Sequence, residues 1–220
     1  MKIIRSVSLV IITFILSILI QLPTYIVIQK MNQAGLDMKE VFIALIVACT
    51  IFLLLFLLRQ KILRKKHLPR KPMAIWKILL GVISIFTLEL LANSILIKLG
   101  LYTESGNNQA IIKYLFSDKF YFMLFATNLM APILEELLFR GFLQEILLQL
   151  FPKSEIIVVL LVAFYFAFLH TYSFNFNLFG YLISGLYFTL IYWKTRTIKY
   201  SIIAHIGFNS LITVVALIFH

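Results

Sequence analysis

An all-α, polytopic membrane protein of about seven transmembrane helices (six to eight) is the fold class this sequence predicts. Two observations carry that expectation. Of 220 residues, 62% are hydrophobic and only 13% charged, with 21 phenylalanines, more apolar surface than a soluble domain can hide. The chain also holds long windows without a charged side chain, at residues 6–29 and 41–58. Between Glu155 and Lys194 the only ionisable group besides tyrosine phenols is His170. A span takes about 20 apolar residues, so that last window holds two spans and a short turn.

In chain order, the expected spans are 6–28, 41–58, 74–97, 119–140, 155–172, 177–193 and 200–219. The first opens with a basic, then apolar, stretch like a secretory signal, "MKIIRSVSLVIITFILSILIQLP". No small-x-small cleavage site follows it, so it reads as an uncleaved first helix. The fourth is long. Residues 120–150 form one apolar stretch that as helix would run about 46 Å at 1.5 Å per residue, against a hydrocarbon core of about 30 Å. Tilt, a kink at Pro132 or an interfacial segment over 142–151 are the ways to accommodate it.

Charge orders the spans. The formal net charge is +11, and basic residues gather at the ends of apolar segments. The stretch 59–72, "RQKILRKKHLPRKP", has seven Lys/Arg and no acid, and "KTRTIK" (194–199) has three. Loops 29–40 and 98–118 balance two basic residues with two acids each, and "YSFNFN" (172–177) is uncharged. Basic loops favour the cytoplasmic face, which orients the N-terminus inside and His220 outside, in a cell (plasma) membrane. This distribution suits anionic lipid headgroups and argues against nucleic acid as a partner. The single cysteine, Cys49, excludes an intramolecular disulfide. The oligomeric state is not encoded in any pattern here.

Charged groups at mid-bilayer cost roughly 2.5–3.5 kcal/mol on insertion scales and usually face a protein interior. Glu135, Glu136 and Arg140 fall inside the fourth span. Glu136 and Arg140 are i,i+4 with the acid N-terminal, the favourable orientation for an ion pair. Glu135 lies about 100° around the helix and is less well served. Either the pair simply packs helices together, or it fixes Glu136 while Glu135 keeps a carboxylate for acid–base work. His170 ends the stretch "FAFLH", with Phe166 one turn earlier. His205 and Asn209 share a face of the last span in "HIGFN", where Gly207 is expected to let helices approach closely. Alone, each histidine reads as a hydrogen-bonded structural residue. Together, carboxylates, imidazoles and an amide from three helices are the groups from which bundles build hydrolytic or metal sites. At 1.5 Å per residue these span limits set the backbones of His170 and His205 about 14 Å apart in depth.

"EELLFRG", "FAFLH" and "HIGFN" resemble the EExxxR(G), FxxxH and HxxxN motifs of the CPBP (CAAX protease, Abi and bacteriocin-processing) intramembrane proteases, which include the type II CAAX prenyl endopeptidases. The glycine-containing "NLFGYLISGLYF" (177–188) also resembles a family segment. The likeness covers about residues 119–220. It divides the chain into N-terminal helices over 1–118, a variable part, and a protease core of four helices over 119–220 that contains the active site.

The resemblance implies that Glu135 activates water, that Glu136 is its partner held by Arg140, and that His170, His205 and Asn209 line the catalytic cavity, with Phe166 a substrate contact. The favoured reading needs no cofactor; zinc on Glu135, His170 and His205 is the alternative, and no HExxH pattern supports it. The function implied is an intramembrane endopeptidase acting on a membrane-associated peptide or protein, in bacterial peptide maturation or bacteriocin self-immunity. The competing reading is a non-catalytic membrane scaffold or immunity protein that binds a partner in the same polar cavity. A transport reading rests on Glu89 and Asn93 in the third span and lacks the inverted repeats of such proteins.

Overall fold

A computed structural model describes residues 2–29, 36–63, 72–103 and 105–219, with side chains from residue 7 onward. Much of the basic stretch 59–72, with Lys30, Glu104, His220 and the side chains of Lys2 and Arg5, lies outside the described residues. The described residues form eight helices and no strand: α1 (Lys2–Ile28), α2 (Met38–Leu63), α3 (Ile75–Lys98), α4 (Gly106–Leu115), α5 (Phe120–Leu150), α6 (Glu155–Thr171), α7 (Asn177–Thr195) and α8 (Ile198–Phe219). Each expected span coincides with a helix. Five of them (α1, α2, α3, α5 and α8) are long and apolar enough to cross a membrane, and α6 is a shorter apolar helix. The protein is an all-α, multi-pass membrane protein.

One element differs from expectation. Residues 98–118 were expected as a loop, yet 106–115 are the helix α4. Its start is fixed by Ser105, whose Oγ accepts the backbone N–H of Asn108 at 3.2 Å, the usual way a serine satisfies a helix's first donors.

The chain divides into two compact units, each discontinuous in sequence: Met1–Lys66 with Ala110–Leu150, and His67–Gln109 with Phe151–His220. In the first unit α1 and α2 pack on each other and on α5. Helix α2 turns Ala44, Ala48 and Leu55 inward and leaves Phe42, Ile43, Ile46, Leu53, Leu54 and Leu57 exposed, as a lipid-facing helix does. Small residues at the contact allow close approach where lipid gives no hydrophobic drive for association. Helix α1 buries Thr13 and Ser17, whose hydroxyls donate to the Leu9 and Phe14 carbonyls at 2.7 Å each. The buried Lys119 donates its ammonium to the Val27 carbonyl at 3.0 Å, occupying an otherwise orphaned acceptor at the end of α1.

In the second unit α3, α6, α7 and α8 pack together, with α6 and α7 forming a helical hairpin. Ile78, Val82, Ile85, Phe188, Ile191, Tyr200, Ala204 and Phe208 make its core. The Tyr187 hydroxyl donates to the Ile78 carbonyl at 2.8 Å and ties α7 to α3. At the other end of the hairpin, Glu155 accepts from the Trp193 indole at 2.6 Å and from Arg196 at 3.1 Å.

Candidate active site

Helix α5 carries the acidic motif in the first unit, and its backbone is unusual there. The helix runs from Phe120 to Leu150 without a break, but two stretches, Ala126–Met130 and Leu137–Gln144, are π-helical. Pro132 lacks an N–H and its ring crowds the carbonyl four residues earlier. The wider turn over 126–130 precedes it, the local adjustment by which a helix passes a proline. Glu135 and Glu136 thus sit in the ordinary helical segment Ala131–Glu136 between two π stretches, a backbone feature frequent at functional sites.

The two glutamates differ as their spacing implies. Glu136 is fully buried and accepts a hydrogen bond from Arg140 Nη1 at 2.9 Å, with Arg140 buried as completely. Glu135 is only half-buried. The fully buried polar series continues along the helix at Gln144 and Glu145, and Gln149 Nε2 donates to Glu145 Oε1 at 3.1 Å. Sequence reading passed over Gln144 and Glu145, although the i, i+4 spacing of 136, 140 and 144 was there to see.

The second unit holds the other motifs. His170 and His205 come from different helices, α6 and α8, and both rings rest on Phe166: its centroid is 4.4 Å from the His170 ring and 5.8 Å from the His205 ring. The expected offset in depth is bridged by this ring, one turn inward of His170. Phe166, expected as a substrate contact, is 2% exposed and packed between the two imidazoles. Gly185 makes room for it, since a Cβ there would lie 2.8 Å from Phe166 Cδ1 and 3.3 Å from the Ala163 carbonyl. His205 is itself stacked on Phe188, 4.5 Å away at 20°. Asn209, one turn after His205, is half-buried.

The orientation of His170 has a chemical consequence. Its Nδ1 lies 2.8 Å from the Phe166 carbonyl. A carbonyl only accepts, so Nδ1 carries the proton and Nε2 presents a lone pair in the neutral ring. The ring also stacks on Tyr181, 4.9 Å away at 29°; the sequence analysis did not single out this tyrosine. Gly207 behaves otherwise than expected. A Cβ there would meet Val82 and Leu79 at 3.7–4.0 Å, ordinary contact, so the close approaches fall instead at Gly81, against the Tyr187 ring, and at Gly185. Glu89 and Asn93 lie on α3, where the Glu89 carboxylate packs against Gly180 of α7, with Oε1 3.1 Å from an ideal Cβ.

Among the described residues no three His, Cys, Asp or Glu side chains are grouped so as to hold a metal ion. Within each unit, the described residues offer no ligand set for the zinc alternative.

Comparison with known families gives one match. Residues 117–211, less than half of the chain, match the family model described as Type II CAAX prenyl endopeptidase Rce1-like. The matched stretch contains all three motifs and the whole of the α6–α7 hairpin. No curated protein and no solved structure matches the chain.

Proposed function

From the premise that residues 117–211 are an Rce1-like domain of the CPBP/CAAX protease family, we propose that this protein is an intramembrane endopeptidase that cleaves a membrane-associated peptide or protein by glutamate-activated water. The observation that carries the reading is the seating of His170 and His205, from two helices, against the single ring of Phe166. A motif histidine that merely satisfied its own helix would have no reason to converge on the other.

In this mechanism Glu135 takes a proton from water, and the hydroxide attacks the scissile carbonyl. The same carboxyl then delivers the proton to the departing amine. Glu136, fixed by Arg140, positions the neighbouring turn. His205 and Asn209 donate to the oxyanion of the tetrahedral intermediate, the charge such groups stabilise best in a site shielded from water. His170 joins them from Nε2 only as the imidazolium, where both ring nitrogens carry protons. The natural substrate class is a peptide matured or degraded at the plasma membrane of a bacterium, as in peptide export or bacteriocin self-immunity. The N-terminus lies in the cytoplasm and the C-terminus outside.

The test uses full-length protein in liposomes with membrane-anchored fluorogenic peptides, with and without a prenylated cysteine. Cleavage is expected for wild type. Glu135→Gln should lower it by about 10³-fold, the size of a lost general base, with the thermal unfolding midpoint unchanged. Full activity in Glu135→Gln overturns the mechanism. An immunity or signalling phenotype complemented by that variant points to the scaffold reading.

A further inference from the structure

We infer that Tyr181 is a positioning residue: it stacks on the His170 ring and ties that histidine to the start of α4. The inference rests on the catalytic reading of His170 and adds a residue that lies in the segment 177–188 but in none of the three motifs.

The His170 ring is held at three places. Its Nδ1 is bonded to the Phe166 carbonyl, and its ring packs against Phe166 at 4.4 Å and stacks on Tyr181 at 4.9 Å. The first two restraints come from α6 itself, one turn away. Tyr181 brings in a second helix, and its hydroxyl is bonded to residues at the start of α4 beyond it. The phenol donates to Asn108 Oδ1 at 3.0 Å. It has one proton, so the 3.0 Å contact with Ser105 Oγ is donated by the serine, and Asn107 Nδ2 donates at 3.4 Å. Ser105 Oγ in turn accepts the Asn108 N–H. These donor and acceptor directions are mutually consistent.

The consequence is steric and electronic at once. His170 lies at the last turn of α6, where Tyr172 already adopts a left-handed conformation with φ of 48°, so a contact from another helix adds a restraint that its own helix does not supply. With Tyr181 in place the ring plane is set, and Nε2 points along one fixed direction. A displacement of about 1 Å in such a group can cost about 100-fold in rate.

The experiment compares wild type, Tyr181→Phe, Tyr181→Leu and Ser105→Ala as full chains in nanodiscs, with histidine ring resonances followed by NMR and peptide cleavage measured in parallel. Tyr181→Leu removes the aromatic face. The His170 ring protons should move downfield while those of His205 stay in place, and kcat should fall about 10- to 100-fold with KM unchanged. Tyr181→Phe keeps the face and loses the tether, so most of the shift and of the rate should be rescued, with kcat down about fivefold, as for one lost hydrogen bond; Ser105→Ala should match it. Unchanged His170 resonances and kcat in Tyr181→Leu overturn the assignment. So does a Tyr181→Phe variant as impaired as Tyr181→Leu. If Tyr181→Leu does not fold, agreement of Tyr181→Phe with Ser105→Ala in spectrum and rate decides. Should wild type cleave nothing, the protease reading fails while the His170 spectra still judge the stacking contact.

Discussion

The two units solve the same problem, polar side chains inside an apolar fold, in opposite ways. The first matches charge with charge: Glu136 and Arg140 are both fully buried and bonded at 2.9 Å. The second packs its histidines against rings, His170 against Phe166 and Tyr181 and His205 against Phe188 and Phe166. An ion pair is stable only as a pair, whereas a stacked imidazole is held by contacts that another ring of similar size reproduces. The first arrangement therefore ties chemistry to folding, and the second separates them.

The largest expected effect comes from breaking the pair. Arg140→Met leaves Glu136 buried against an apolar side chain and should cost about 3–5 kcal/mol, the loss seen when one partner of a buried ion pair is removed. The folded fraction in detergent should collapse. Arg140→Met with Glu136→Leu should recover much of that stability, because replacing both partners by apolar groups is often neutral. A double variant as unstable as the single one would mean that Arg140 serves the fold through groups other than Glu136.

The matching change in the second unit should act on rate alone. His205→Phe keeps an aromatic ring to stack on Phe188 and Phe166, so the unfolding midpoint should move little. Cleavage should fall by about 10²–10³-fold, the loss that follows removal of one oxyanion donor. If stability fell as steeply as in Arg140→Met, the imidazole would be holding the fold through its nitrogens, and the contrast between the units would disappear.

How much of this was legible in the sequence depends on the range of the interaction. The spans follow from local hydropathy, and each expected one is a helix. The Glu136–Arg140 pair was legible because its partners are four residues apart on one helix. Phe166 against His170, one turn apart on one helix, was legible in the same way. The more distant aromatic partners were not: Phe188 lies 17 residues before His205, and Tyr181 lies on the far side of a turn from His170. With 21 phenylalanines and 10 tyrosines in the chain, pattern alone cannot say which ring meets which imidazole. Helix α4 was missed because its apolar content is low and its start depends on a serine cap rather than a periodic stripe. The π-helical stretches in α5 have no sequence signature apart from Pro132.

A smaller effect sharpens the role of packing within the second unit. Gly185→Ala puts a methyl 2.8 Å from Phe166 Cδ1, with the Ala163 carbonyl at 3.3 Å blocking the simple escape. Overpacking of this kind costs about 1–3 kcal/mol. The displaced Phe166 ring should disturb both histidines, so their ring resonances should shift together, and cleavage should drop more than stability. A Gly185→Ala protein with wild-type spectra would show that Phe166 has room to move without carrying the imidazoles along.

Gly207→Ala is the counterpart, with the smallest effect expected. It lies on α8 between His205 and Asn209, in the motif where a glycine invites the idea of tight helix contact. The geometry denies the need: the nearest atoms to a Cβ there are Val82 Cγ1 at 3.7 Å and Val82 Cγ2 at 3.9 Å. A methyl would fill ordinary contact space against α3. Alanine also favours a helix interior over glycine by about 1 kcal/mol, so the substitution should leave stability unchanged or raise it by less than about 1 kcal/mol, with cleavage intact. Thermal unfolding beside the peptide assay reads both. Loss of cleavage at unchanged stability would give Gly207 a part in the reaction, through backbone that a substrate must approach.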